Sequence, residues 1–592
     1  MKKFILLTLF LITILLSIIF MPRSKEHAVV MMSGEVYSQV YNEDKIYTVK
    51  LPEKYSPGTV INYKYNFFKI FKVEVLTPLK ERVMKVEDNR YDLELSGELL
   101  SHKAVNYYTL NDQNNISLSD DKKILIGKNN LNIYLNKQNE IKTFVVKPYN
   151  YSNMRVGLST TGFNSLDHEE IILTCLEDGT LFNLRENFNE IIPQGTMIKI
   201  YTENGKIVLN INNAIKTFSE RTYLNCNNIR IDSISRGIPE FTPNYSGVLE
   251  FTKSNNGLSL INEVNMEEYL YKVVPSEMPS SGGIESLKCQ AIAARTYALS
   301  DMIQNRFSHL GFYVDDSTQS QVYNNMKSNL ITNEAVYSTK GLIITYEDKP
   351  IDAKYYSSSA GVGTTYQTVW FNADGSSEDK NYYYKGTYIK NNSLPKNEKE
   401  WLTFYKDKTL KSLDSTSPYF RWHADFSKKA LENSLNKSIK IIHDRRPNFI
   451  QILQSGKQSN TLPQLVDLTN IEVVKRSEFG NIIEISFQFA NATINVKGDY
   501  NIRSAIRCNK DFSGEIIPII RHIKEPLINN NFLPSSFFSI EKNAEGYRIY
   551  GGGYGHGVGM SQYGAMELSQ KGLKYEEILN TFYKDVTIEK IY

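Results

Sequence analysis

The sequence predicts an α+β protein rich in β structure behind an N-terminal transmembrane helix. Three observations carry this: an uncharged apolar run at the N-terminus, a long series of alternating segments broken by turn clusters, and one strong helical stretch mid-chain. With 592 residues, 41% of them apolar, the chain can bury more than one core. A net charge of +3 argues against nucleic acid as a partner, which would demand a basic stripe.

Lys2 and Lys3 precede FILLTLFLITILLSIIFM, eighteen residues without a charge. As a helix this run is about 27 Å long, close to the hydrocarbon thickness of a bilayer. A cleaved signal peptide would have a shorter apolar core and an A-x-A-like site, and none is present. Residues 1–29 therefore read as an uncleaved anchor, a single pass at the cell membrane, with cleaved secretion as the alternative. The two lysines favour a cytoplasmic N-terminus, although Arg23 and Lys25 weaken that asymmetry. Either way the bulk of the chain is expected outside the cytoplasm.

Residues 30–150 read as an accessory β domain: KIYTVKL, VINYKYNFFKIFKVEVL, RYDLELSGELL, NLNIYLN and IKTFVVKP alternate apolar and polar positions between clusters such as SPGT and NDQNN. No catalytic constellation lies in them. From Met154 the turns sharpen. MIKIYTENGKIVLNI predicts a hairpin with a type I′ turn at Asn204-Gly205, and LEFTKSNNGLSLINEV repeats the device at Asn256-Gly257.

At Asn265 the character changes. NMEEYLYKVV offers an N-cap with Glu268 three residues on. Pro275 and Pro279 bracket VVPSEMP, which places Glu277 in a constrained, non-helical turn. In GGIESLKCQAIAARTYALSDMIQN, Leu287, Ala291, Ala294 and Ala298 share one helical face, with Ile284 and Tyr297 at its edge. Strands are expected in GLIITYE, KYYSSSAG, EISFQF and ATINVKG, and one or two short helices in GAMELSQKGLKYEEILNTFYK. Residues 372–430 are polar and irregular, an insertion or long loop.

GGGYGHGVGMSQYGA packs seven glycines around His556. It fits neither a dinucleotide fingerprint, since Met560 stands where the last glycine should be, nor a P-loop, since no Gly-Lys-Ser/Thr follows. Alternate glycines suggest a strand entering a tight turn.

Glu277 is the first candidate for chemistry. A carboxylate in apolar company is desolvated, which raises its pKa and suits a general acid; the alternative is a surface glutamate capping the following helix. Lys288 and Arg295, seven residues apart, project from one side of the helix and could hold an anionic or hydroxyl-rich ligand. Cys289 is either a thiol activated by the helix terminus or a small core residue, and its apolar setting favours the core. Ser357-Ser358-Ser359 lacks the G-x-S-x-G elbow. The four cysteines form no C-x-x-C pair and the eight histidines no H-E-x-x-H spacing. Neither a metal nor a cofactor is expected.

Taken in order, VNMEEYLYKVVPSEMP, ESLKCQAIAARTYA, DDSTQSQVY, AKYYSSSAG followed by TVW, and GYGHGVGMSQYGA resemble the SpoIID/LytB family of cell-wall proteins. With the fragments YSGVLEF and SPYFRW, the resemblance runs from about Met154 to the C-terminus, so residues 151–592 are expected to form a SpoIID-type mixed α/β domain with a substrate groove. It implies a peptidoglycan lytic transglycosylase acting on glycan strands stripped of stem peptides by an amidase. Partners implied are those glycan strands, a cell-wall amidase and other membrane-anchored wall-remodelling proteins. The family's catalytic glutamate falls on Glu277, and its functional lysine and arginine on Lys288 and Arg295. Tyr297, Ser358, Ser359, His556, Gln562 and Tyr563 complete the expected substrate-binding set, with a structural role for His556 as the alternative. Cys289 stands where the family commonly has alanine. Some relatives bind zinc through Cys and His near the D-S-T-x-x-Q-V-Y block; DDSTQSQVY holds neither, and no metal is carried over. SSSAGVG departs from the usual S-G-G-x-T spacing. A non-enzymatic enhancer of an amidase is the rival reading, and a purely structural wall-binding protein a third.

Overall fold

The computed structural model describes residues 2–43, 45–389 and 393–592. The N-terminal apolar run forms the helix Lys2–Phe20, but the side chains of residues 1–7 and 18 lie outside the description. Among the described residues no helix is long and apolar enough to cross a membrane. This corrects the expected transmembrane anchor and single membrane pass, for which a bilayer core requires ~20 apolar residues in one helix. The rest of the fold class stands, a β-rich mixture of sheets and helices.

The chain divides into two units. The first comprises Met1–Tyr269 and Asp301–Met326. Strands appear where the alternating segments predict them, for example Lys45–Val49, Val60–Tyr65, Ile70–Val75, Leu131–Leu135 and Ile141–Val146. Most pair antiparallel, with Ile141–Val146 running parallel to Gly97–Leu110. A larger sheet is built from the residues after Asn153. Its Met197–Glu203 and Lys206–Ile211 hairpin closes through Asn204 and Gly205, both at positive φ, as the type I′ turn requires. The second hairpin closes one residue earlier than expected, because Ser254 pairs with Gly257 and the turn is Asn255-Asn256. Gly257 serves close approach instead, since a side chain there would overlap the His168 carbonyl oxygen. A buried ionic cluster ties this sheet together: Arg155 and Arg221 flank Glu250 at 2.7 and 2.6 Å. Burial opposes ionisation of Glu250, but the two guanidinium groups override it and hold its pKa down at about 2.

The second unit comprises Leu270–Ser300 and Lys327–Tyr592. Its centre is the helix Ile284–Gln304. Rather than burying one face, this helix is shielded almost all round, which is why small residues dominate it and its polar side chains must find partners. Cys289, Ile292 and Ala293 pack with Ile344, Met560, Ala565, Ile578 and Phe582, which joins the helix to the strand Leu342–Tyr346 and to the two C-terminal helices Gln562–Gln570 and Tyr575–Phe582. Thr296 Oγ1 accepts from Ile344 N–H at 2.9 Å, stitching helix to strand. Cys289 is a core thiol whose pKa is pushed well up by burial. All four cysteines are buried and free of disulfides. The polar stretch 372–430, of which 390–392 lie outside the described residues, holds the helix Glu398–Lys406 and the strand Trp422–Ser427. Trp401, Phe404, Phe420 and Trp422 from it are buried.

Candidate functional site

Asn265 caps the helix Met266–Glu277, its Oδ1 accepting from Glu267 N–H at 2.9 Å. Pro275 lies inside this helix and Glu277 is its last residue. The expected non-helical turn around Glu277 is therefore corrected. Proline costs a helix the hydrogen bond to the carbonyl four residues back, yet the helix survives for two further residues and Met278 N–H still closes onto Val274 O at 3.0 Å. Glu277 is half-buried. A short turn, Ser280–Gly282, then leads into Ile284–Gln304.

The glycine cluster meets the protein's own chain. Strand Gly546–Gly551 ends at Trp422, whose Nε1 donates to Gly553 O at 3.1 Å. Ser358 and Tyr554 exchange backbone hydrogen bonds at 3.1 and 2.7 Å, and Tyr355–Tyr356 runs parallel to Met560–Ser561. Gly553 and Gly559, both at positive φ, sit where a side chain would overlap Ser358 O and Lys354 O respectively. The bare backbone allows residues 354–360 to lie against the loop.

Asp414, fully shielded, pins these two segments. Its carboxylate accepts from Ser359 N–H at 2.9 Å and Ser359 Oγ at 2.5 Å, and from the Ser561 hydroxyl. Burial pushes its pKa up to about 6, and the hydrogen bonds from Ser359, Ser561 and Ser358 limit the rise. Ser561 also caps the helix Gln562–Gln570, which fixes where Gln562 points. Gln562 Nε2 donates to Glu277 O at 3.2 Å and to Gln290 Oε1 at 3.1 Å. The C-terminal block, the VPSEMP block and the central helix thus meet at one amide.

The other expected site residues lie on the central helix, in the segment around Ser358 and in the C-terminal block. Lys288 bridges Glu285 at 3.0 Å and stands over the Tyr575 ring. Arg295 is buried, with Nη1 donating to Leu342 O at 3.0 Å. Tyr297 is buried under the Lys354 ammonium, 4.4 Å from its ring. Ser358 and Ser359 are buried in the strand contact just described, and Tyr563, half-buried, donates its N–H to Ser357 O at 3.0 Å. His556 keeps part of its surface exposed and lies between Tyr356 and Trp370, with ring centroids at 5.4 and 4.8 Å. Its Nδ1 accepts from Val558 N–H at 3.2 Å. Burial first, then the charges of Lys354 and Arg503, push its pKa down to about 3, so the imidazole is neutral at pH 7 and works as a hydrogen-bonding group. Among the described residues no three His, Cys, Asp or Glu side chains are grouped to hold a metal ion.

Sequence reasoning missed Gln290, Asp414 and Lys354. Gln290 gave a signal: it is a polar residue beside the apolar face of the helix. Asp414 gave none, lying in an unremarkable polar stretch.

The description Stage II sporulation protein, that of the SpoIID domain, matches residues 254–346. The amidase enhancer of Bacillus subtilis (strain 168) is 28% identical over 324 residues, 53% of this chain and 39% of that protein. The stage II sporulation protein D of Bacillus amyloliquefaciens is 27% identical over 347 residues, 56% of this chain and 76% of that protein. The protein of that name in Bacillus subtilis (strain 168) is also 27% identical, over 348 residues. This chain therefore spans well under half the length of the amidase enhancer and about three quarters of the sporulation proteins. Residues 254–346 thus carry the SpoIID-type segment of the chain. The chain is similar to proteins of the SpoIID/LytB family.

Proposed function

We propose that this protein is a lytic transglycosylase of bacterial peptidoglycan, acting on glycan strands denuded of stem peptides during sporulation-related wall remodelling. The observation that carries the reading is the Gln562 amide on the Glu277 carbonyl. It holds the end of the helix bearing the only carboxylate that the family resemblance marks as catalytic, and it comes from GYGHGVGMSQYGA, another of the blocks that carry the resemblance.

Glycosidases commonly need two carboxylates, one as acid and one as nucleophile or base. A lytic transglycosylase manages with one. Glu277 protonates the glycosidic oxygen between N-acetylmuramic acid and N-acetylglucosamine as the C1–O bond breaks. The C6 hydroxyl of the same muramyl sugar attacks C1 and returns its proton to the carboxylate, leaving a 1,6-anhydro end. The route consumes no water and calls on no cofactor, and the intramolecular attack gains from proximity. Lys288, Arg295, Tyr297, Ser358, Ser359, His556, Gln562 and Tyr563 are assigned to shaping or lining the groove; for the buried members this means shaping.

The name of the amidase enhancer relative favours a second reading, a glycan-binding protein that stimulates a partner amidase. Incubating the full chain with amidase-treated glycan strands separates the two. Anhydro-muropeptide products by mass spectrometry support the enzyme; release only in the presence of added amidase supports the enhancer.

A further inference from the structure

A group of residues beside His556 has no part in the chemistry above. Lys354 and Lys380 both bridge Asp352, at 3.0 and 2.9 Å. All three are largely shielded, each lysine side chain being 15% exposed and the aspartate 6%. The Lys354 ammonium lies 4.4 Å from the Tyr297 ring and 5.6 Å from Trp370. Lys380 sits over Tyr366 at 4.0 Å. Tyr366 and Trp370 stack on each other, centroids 4.6 Å apart, and both keep part of their surface exposed.

Two ammonium groups face one carboxylate, so the cluster holds one positive charge in excess. A shielded charge is costly unless it is paired, and cation–π contacts offset only about 0.5–2 kcal/mol of that cost. The exposed Glu378 acts on Tyr366 through space, but among the described residues neither lysine bridges a carboxylate other than Asp352. After burial, the Lys354 charge also helps to keep His556 neutral, against the smaller opposing effect of Asp352. The site is thus short of one anion and edged by stacked aromatic rings.

We propose that Lys354, Lys380 and the Tyr366–Trp370 pair form a subsite for a sugar ring bearing a carboxylate, the carboxylate completing the charge at the two ammonium groups and the ring lying along the aromatic pair. The inference rests on the transglycosylase reading and names the sugar by its chemistry. N-acetylmuramic acid freed of its peptide presents a lactyl carboxylate. The same sugar still carrying a stem peptide presents an amide there, and N-acetylglucosamine a hydroxyl. A preference for denuded strands would reside in this cluster.

The test is calorimetric binding of the full chain to amidase-treated glycan strands, compared with the same strands whose lactyl carboxylates have been converted to primary amides. Charged hydrogen bonds of this kind predict about tenfold tighter binding of the free carboxylates. The gap should shrink in Lys380→Gln and in Lys354→Gln. Equal wild-type affinity for the two preparations overturns the subsite, and so does a gap unchanged in both variants. In those cases anhydro products from the same strands leave the transglycosylase reading intact. A clear preference for free carboxylates without any anhydro product supports the subsite and removes the enzymatic reading. The wild-type comparison needs no variant, so equal affinities overturn the subsite even where a substitution prevents folding, and either lysine variant that folds suffices to locate the preference.

Discussion

The side-chain amide of Gln562 donates to the backbone carbonyl of Glu277 at 3.2 Å, across 285 residues of chain. Its second bond, to Gln290 at 3.1 Å, is fully buried. Replacing Gln562 with Met keeps the volume and removes both. Leaving buried polar groups unsatisfied costs about 1–3 kcal/mol, so denaturant unfolding should show a loss of that size. On denuded strands kcat should fall with KM little changed, because the substitution disturbs the placement of Glu277 rather than a substrate contact.

Gly559 and Gly205 make a matched pair. Both hold positive φ, but a side chain at Gly559 would overlap the Lys354 carbonyl, whereas nothing lies within 4 Å of the one at Gly205. Gly205→Ala should cost only the backbone penalty of about 1–2 kcal/mol. Gly559→Ala should cost clearly more, since residues 354–360 must move, and thermal unfolding of the two variants side by side checks the difference.

That contrast marks what the sequence could tell. The alternating strands, the central helix, the Asn204-Gly205 turn and the two C-terminal helices follow from periodicity and turn chemistry, which are local. The glycine cluster announced a tight turn but not the segment packed against it; that segment is the chain around Ser358, 196 residues before Tyr554. Glu277 read as lying in a turn because proline usually breaks a helix, whereas here Pro275 falls in the final turn, where little helix remains to lose. Asp414 and Lys354 were invisible because their roles depend on tertiary neighbours that no spacing encodes.

His556 should make stability depend on pH. Its folded pKa of about 3 lies below the ordinary 6.5, so between these values the unfolded chain binds more protons. The stabilisation is complete above pH 6.5 and is lost as pH falls towards 3. The stability difference between the wild type and His556→Gln should therefore widen as pH rises through this window and stay level above it, as read from denaturant unfolding at each pH.

Asp414 should show the opposite slope. Its folded pKa of about 6 lies above the ordinary 3.8, so the native state binds more protons between them and this contribution declines as pH rises from 3.8 to 6. The penalty of Asp414→Asn should shrink from pH 4 to pH 7. Asp414→Ala, which also strands Ser359 N–H and two hydroxyls in a shielded site, should show the same slope with a penalty about 1–3 kcal/mol larger than that of Asp414→Asn at each pH.

The central claim is that one carboxylate at the end of the Met266–Glu277 helix does the chemistry. Mass spectrometry of products from amidase-treated glycan strands, with full-length wild type and Glu277→Gln compared at equal folded concentration, tests it most directly. Anhydro-muropeptides from the wild type, with release reduced by roughly 10²–10⁴ in the variant, is the result expected. Release by Glu277→Gln at the wild-type rate would contradict the account.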